Sequence, residues 1–163
     1  MPGREDETGP GVSHLYTDGA SRGNPGPSAA AWLVKDSTSD VVRDAGSEYL
    51  GRGTNNVAEY KAIIRGLEAC IRLSVRRVSV LTDSELCVKQ LNGEYRVKDD
   101  KLKPLFEKAV QLKKELDGVR FAWVGREDEW ISLCDRMVNG ELDRHQGEDA
   151  APAPSMQGRP RRP

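Results

Sequence analysis

Histidine is scarce in this chain: only His14 and His145, near opposite ends of a 163-residue sequence. That scarcity argues against a histidine-bound zinc or iron centre, which needs several imidazoles to converge. Cysteine is also sparse. Cys70, Cys87 and Cys134 lie far apart, form no C-x-x-C pair, and each falls inside an apolar helical pattern. Buried free thiols are therefore expected, not a disulfide framework or a thiolate metal site. Charge of one sign is missing too, since 25 Lys and Arg offset 26 Asp and Glu to a formal net charge of -1. Without a global cationic field, a polyanion would have to be held by local basic groups or by a metal ion. No apolar run approaches the roughly 20 residues that span a bilayer, and the opening M-P-G-R-E-D-E-T-G-P has no apolar core of a secretory signal. A reduced, soluble, cytoplasmic protein without a membrane anchor, and a monomer, is the expectation.

The length suits one domain with a sizeable core. Residues 1–11 read as a polar leader, 12–143 as the domain, and 144–163 as a disordered tail rich in Ala, Pro, Gly, Gln and Arg. The organising stretch is Leu15 to Pro27, L-Y-T-D-G-A-S-R-G-N-P-G-P. It starts as a β-favouring strand over Val12–Thr17 and runs into a loop of glycines and prolines, with Asp18 at the strand's end. Two further strands, Ser28–Val34 and Val41–Leu50, follow across a charged turn and imply an antiparallel meander. A helix over Val57–Leu73 then carries apolar residues at Tyr60, Ile63, Ile64, Leu67 and Ile71. Asn56 as N-cap with Glu59 three residues on comes close to a capping box.

Val78–Leu81 is a short apolar strand, and a helix from about Ser84 to Leu91 follows it. Lys101–Leu116 is a longer amphipathic helix closed by Asp117-Gly118. Val119–Val124 reads as a strand and Ile131–Leu142 as the last helix. The order βββ–α–β–α–α–β–α permits a parallel crossover between the first and fourth strands, and so an α/β fold with a mixed sheet and helices on its faces.

Four acids fall at element ends. Asp18 closes the first strand, Glu59 sits in the first turn of the first helix, Asp83 ends the fourth strand, and Asp135 lies early in the last helix. Each has an ordinary reading alone: a turn-forming Asp, a capping-box Glu, a helix N-cap beside Ser84, a solvated charge beside Arg136. Together they suggest more. If the first and fourth strands are parallel neighbours, Asp18 and Asp83 emerge side by side at the edge where α/β sheets place ligands. Clustered carboxylates need a counter-charge to stay ionised. All-oxygen ligation favours Mg²⁺ or Mn²⁺, and two such ions about 4 Å apart stabilise the attacking and leaving oxygens of phosphodiester displacement. The chemistry indicated is metal-dependent phosphoryl transfer.

Four blocks then carry a resemblance. T-D-G-A-S-R-G-N-P-G-P (Thr17–Pro27), T-N-N-V-A-E-Y (Thr54–Tyr60), T-D-S-E-L (Thr82–Leu86) and C-D-R-M-V-N-G-E-L-D (Cys134–Asp143) look, in order, like the signature blocks of the type 1 ribonuclease H family. The resemblance implies the ribonuclease H fold, a five-stranded mixed sheet of order 3-2-1-4-5 flanked by helices. It implies endonucleolytic cleavage of the RNA strand of an RNA–DNA hybrid, leaving 5′-phosphate and 3′-hydroxyl ends. Asp18, Glu59, Asp83 and Asp135 match the family's catalytic carboxylates, which hold two Mg²⁺ or Mn²⁺ ions. Asn24, Asn55 and Asn56 match positions that touch the minor groove and sugars, and Thr54 a position near the DNA phosphate. An amide both donates and accepts, so it can read the 2′-hydroxyl that marks RNA. The structural alternative is that Asn55 and Asn56 only cap the helix.

The chain also departs from the family's pattern. Gln90–Leu116 lacks the Trp- and Lys-rich basic protrusion of many bacterial members, and the compact N-G-E-Y-R-V-K resembles the archaeal and short bacterial subgroup. Hybrid affinity would then rest on Lys89, Arg96, Lys98, Lys101 and Lys103, or on the basic tail, though each reads more simply as a solvated charge. Short members typically read V-P-R-E-x-N-x-x-A-D before the fourth acid. Here the run is V-G-R-E-D-E-W-I-S-L-C-D, which without a gap puts Leu133 at the acid position. A two-residue insertion restores Asp135. The loop histidine of long members is absent, with Arg126 or Glu127 as stand-ins. The rivals are a catalytically silent nucleic-acid-binding module of the same fold, and a nuclease that also cuts duplex RNA. A phosphate-cradling nucleotide-binding loop fails, because no G-x-x-x-x-G-K-[ST] is present.

Overall fold

A computed structural model describes residues 9–146; residues 1–8 of the expected leader and 147–163 of the expected tail lie outside the described residues. Five strands form one sheet: β1 (Val12–Ser21), β2 (Gly26–Asp36), β3 (Val42–Gly53), β4 (Arg77–Thr82) and β5 (Gly118–Trp123). Four helices accompany them: α1 (Asn55–Arg72), α2 (Glu85–Leu91), α3 (Lys103–Lys113) and α4 (Glu129–Arg144). The sheet order is β3-β2-β1-β4-β5, with β1–β2 and β2–β3 antiparallel and β1–β4 and β4–β5 parallel. This is the order and mixture that the resemblance implies.

The first strand departs from expectation in an informative way. Asp18 does not end it. β1 runs on to Ser21, because its antiparallel register with β2 continues as far as Ser21↔Ser28. The parallel register with β4 stops at Thr17↔Thr82. There the chain of β4 turns away and Ser84 caps α2, accepting from the amide of Cys87 at 3.3 Å. Asp18 is thus the first β1 residue with a strand on one side only, and that open side is where a ligand can enter. The connecting hairpin is tight, closed by Arg22 N–H to Pro27 O at 2.8 Å, with a cis Asn24–Pro25 peptide.

The helix ends are corrected as well. Thr54, not Asn56, is the N-cap of α1, its hydroxyl accepting from Val57 N at 3.2 Å. All three residues of T-N-N are good caps in isolation, so only the entry angle of the chain decides among them. No capping box forms, and Glu59 is left for another partner. α4 begins two residues early, because Asp128 caps it by accepting from Trp130 and Ile131 at 2.9 and 3.1 Å. It also runs to Arg144, past the expected domain boundary at 143.

Two apolar clusters hold the layers. On one face Leu15, Val78, Val80 and Phe121 of the sheet pack with Ile63 and Leu67 of α1 and with α2 and α3. Gly66 lets α1 lie close, since a Cβ there would sit 2.5 Å from the Leu15 side chain. On the other face Tyr16, Ala31 and Leu33 pack with Ile131, Cys134, Val138 and Leu142 of α4. The three cysteines are buried and free, as their sequence context suggests. Among the described residues no helix is long and apolar enough to cross a membrane.

Candidate active site

Alternation along β1 and β4 sends Asp18 and Asp83 to the α4 face of the sheet, at the carboxyl ends of two adjacent parallel strands. Glu59 reaches them from the opposite face. It can do so because α1 passes Gly19 at backbone contact distance, and the Gly19 amide donates to Glu59 Oε1 at 3.1 Å. One carboxylate oxygen from each of Asp18, Glu59 and Asp83 lies within 4.8 Å of the others.

Asp135 arrives separately, on α4, and is joined to the group by Arg126. The guanidinium lies 3.2 Å from Asp83 Oδ2 and 3.6 Å from Asp135 Oδ1. The structure therefore brings together all four acids singled out in the sequence. Leu133, the residue at the acid position without a gap, is instead part of the apolar packing under α4. Asp128 is occupied as a helix cap.

The electrostatics show what the cluster lacks. Asp18 is 3 % exposed, and its Oδ2 is buried with no hydrogen-bond partner. Burial, then the neighbouring charges of Asp83 and Asp135, push its carboxyl up to about 8, with Arg126 pulling the other way. Glu59 is held well above its ordinary range, chiefly by burial and then by Asp18 and Asp83. Asp83 is raised by burial, an effect that Arg126 offsets. An exposed Arg126 alone cannot neutralise such a group. The orphaned oxygen and the all-carboxylate donor set fit a hard divalent cation, with no imidazole or thiolate in the cluster to favour zinc.

The sequence-selected amides lie beside this group, at the hairpin and the start of α1. Asn24 Oδ1 accepts from Asn55 N at 3.1 Å, and Asn55 Oδ1 accepts from Ser21 N at 2.8 Å. These two bonds tie the β1–β2 hairpin to the first turn of α1. Asn56 is exposed there. Thr54 uses its oxygen as the cap acceptor, so its hydroxyl proton stays available for donation. Asn24 and Asn55 thus already do structural work, and Asn56 carries no cap.

Two residues escaped the sequence reading. Arg22 in the hairpin pairs with Asp143 at 2.8 Å and donates to Asn139 Oδ1 at 2.9 Å, fastening α4 to the hairpin over 117 residues of sequence. The only signal was its place inside the R-G-N-P turn. Gly19, one of the loop glycines expected to allow a positive φ or a close approach to a ligand, is used for close approach to the backbone of α1.

Carboxylates set where the parallel pairing of β1 and β4 stops, inside a 3-2-1-4-5 sheet, define a ribonuclease H-like α/β domain. The Reverse transcriptase-like family matches residues 16–130. "Bifunctional protein Rv2228c" of Mycobacterium tuberculosis is 35 % identical over 139 residues, covering 85 % of this chain. The structure of its N-terminal RNase H domain, solved as a fusion with maltose binding protein, superposes with a TM-score of 0.81 at 33 % identity, covering 85 % of this chain and 99 % of that one. Ribonuclease HI of Halobacterium salinarum is 37 % identical over 134 residues, covering 82 % of this chain. LC11-RNase H1, solved in complex with RNA/DNA hybrid, gives a TM-score of 0.76 at 36 % identity, covering 82 % of this chain and 99 % of that one. The chain belongs to the type 1 ribonuclease H family. It spans 38 % of the length of the mycobacterial relative and 61 % of the halobacterial one.

Proposed function

We propose that this domain is an endoribonuclease that hydrolyses the RNA strand of RNA–DNA hybrids, leaving 5′-phosphate and 3′-hydroxyl ends. The observation that carries the proposal is the convergence of Asp18, Glu59 and Asp83 oxygens within 4.8 Å at the ligand edge of the sheet. Its support from relatives is the hybrid seated on LC11-RNase H1. Asp18, Glu59, Asp83 and Asp135 would hold two Mg²⁺ or Mn²⁺ ions. Bound there, the ions supply Lewis acidity and the counter-charge for a phosphodiester displacement.

The chain's own groups do the rest. Asp18 must give up the proton that its burial favours before it can act as a ligand, so ion binding and deprotonation are linked. Arg126 neutralises Asp83 and Asp135 and is exposed enough to swing towards a phosphate when the carboxylates take another partner. Asn24, Asn55 and Asn56 border the same edge and suit the ribose 2′-hydroxyl, while Thr54 suits a phosphate of the DNA strand. We further propose a cytoplasmic monomer whose domain, expected at 12–143, takes in the end of α4 at Arg144.

The test is cleavage of an end-labelled RNA–DNA hybrid with Mg²⁺ or Mn²⁺, by the wild type and by Asp135→Asn, beside duplex RNA and duplex DNA. Hybrid-only cleavage by the wild type and a crippled variant support the reading. Normal cutting by Asp135→Asn removes Asp135 from the ligand set. Cutting of duplex RNA widens the substrate class. Hybrid binding without cleavage in either metal makes the domain a silent binding module.

A further inference from the structure

Arg126 stands where the ends of β4, β5 and the start of α4 meet. It lies in the short loop between β5 and α4, and the backbone on either side of it is pinned. Val124 N–H donates to Thr82 O at 2.9 Å, and Asp128 N–H to Gly125 O at 3.1 Å, before Asp128 caps α4. The side chain is not buried with it. It is 76 % exposed, and it reaches back to Asp83, which is 10 % exposed, and to Asp135, which is 40 % exposed. A fixed root thus holds one cation over the solvent side of the acidic group.

Its two contacts divide the four acids. Oxygens of Asp18, Glu59 and Asp83 already converge within 4.8 Å, and Asp135 is not one of that trio. Arg126 Nε lies 3.2 Å from Asp83 Oδ2 and its Nη2 lies 3.6 Å from Asp135 Oδ1, so one guanidinium bridges the two acids. Among the described residues no other Lys or Arg pairs with either, and Asp18 and Glu59 make no ion pair at all. The charge of Arg126 also pulls the carboxyls of Asp18, Glu59 and Asp83 down against burial. A guanidinium fork and a hard divalent cation want the same carboxylate oxygens, and an oxygen turned to one is withheld from the other.

We propose that Arg126 is the resident counter-charge of the ion-free site, competing with a divalent cation for Asp83 and Asp135 and so setting the ion concentration at which all four acids come into use. This rests on the metal site of the function proposed above and goes past the phosphate contact given there. Asp18 and Glu59 are the open half of the group, and Asp83 and Asp135 the held half. Because the guanidinium lies on the solvent side, it can leave the acids without moving the pinned backbone beneath it. It orients two carboxylates and touches no reacting atom in this role, so Arg126 acts here as a positioning residue.

The experiment is calorimetric titration with Mn²⁺ at pH 8 and without nucleic acid, comparing wild type, Arg126→Gln, Arg126→Lys and Arg136→Gln, with thermal midpoints recorded for each. Arg136 is exposed on α4 beside Asp135, and its Nη1 lies 3.4 Å from Ser132 Oγ. Its loss removes the same charge without releasing an acid. Arg126→Gln should tighten Mn²⁺ binding about fivefold, equivalent to about 1 kcal/mol for the two exposed pairs given up. Arg126→Lys keeps a cation over the acids and should stay within about twofold of wild type, as should Arg136→Gln. Equal tightening by Arg126→Gln and Arg136→Gln would reduce the effect to net charge and overturn the proposal. So would an unchanged affinity in Arg126→Gln. Cleavage of a labelled hybrid by the same samples separates the two readings. A wild type that cuts the hybrid while Arg126→Gln binds Mn²⁺ as before overturns the counter-charge alone, and a wild type that neither binds Mn²⁺ nor cuts overturns both.

Discussion

Gly19 donates its amide to Glu59 Oε1 at 3.1 Å, and it can do so only because it has no side chain. A Cβ on Gly19 would lie 2.3 Å from the carbonyl carbon and oxygen of Ala58 and 2.6 Å from the amide of Glu59. Those are backbone atoms in the first turns of α1, so they cannot yield as a flexible side chain would. Replacing Gly19 with Ala must push α1 off β1 and carry Glu59 away from Asp18 and Asp83. The overpacking should cost about 1–3 kcal/mol of stability. Hybrid cleavage should fall far more, by about 100-fold or greater, since small misplacements at a reacting centre are costly. Thermal unfolding and kcat on the same preparation check both, and a variant with near-normal kcat would separate the close approach from function.

That relationship shows where sequence reading reached its limit. The helices were legible because apolar residues recur at helical spacing, and Ile63 and Leu67 of α1 are fully buried as that spacing requires. The acids were legible from the signature blocks, and from ends only in part: Asp83 follows β4 directly, but Asp18 lies inside β1 and Asp135 inside α4. Strand ends were less so. Gly19 to Ser21 resemble a loop in composition, yet they pair with β2, because pairing is decided by the partner's register and not by the residues alone. The cap of α1 was ambiguous for the same reason, as Thr54, Asn55 and Asn56 are locally equivalent. The sheet order came from the resemblance, since the alternation of elements leaves several orders open. Arg22 depends on contacts between distant segments, which no local pattern encodes.

Arg22 offers the second test. It joins the hairpin to Asn139 and Asp143 near the end of α4, while Asp135 lies one turn earlier on that helix. Its side chain is partly exposed, as is that of Asp143, so Arg22→Ala should cost only about 1 kcal/mol. The effect should be local. Amide hydrogen exchange in residues 139–144 should quicken while the core strands β1 and β4 stay protected. Hybrid cleavage should drop severalfold as Asp135 becomes less well placed. Uniform loss of protection across the sheet would show that the contact is global instead.

Buried thiols give a third. Burial pushes Cys70, Cys87 and Cys134 each up to about 12, and all three are inaccessible and unpaired. The thiolate is the reactive form. At pH 8 the native protein should therefore consume no aromatic disulfide reagent over minutes, and three equivalents after denaturation in guanidinium. Fast reaction of one thiol in the native state would mean that its helix opens locally.

The ion site leads to the last prediction, in which stability and function oppose each other. The carboxyl of Asp18 rises from an ordinary value near 4 to about 8 in the folded protein. Between those two pH values the folded state binds more protons than the unfolded chain. The associated stability is full below about pH 4 and is lost as pH rises through about 8. With EDTA present, the thermal midpoint should fall from pH 5.5 to pH 8.5, and Asp18→Asn should flatten that fall and raise the midpoint at pH 8, by on the order of 5 °C. Added Mg²⁺ or Mn²⁺ should stabilise the wild type most where Asp18 is ionised, reversing the slope, because an ion that binds only the folded state stabilises it by mass action. It should do little for Asp18→Asn, whose hybrid cleavage should also be lost. A wild-type midpoint that ignores both pH and divalent ions would mean that the four carboxylates are relieved by something other than a metal.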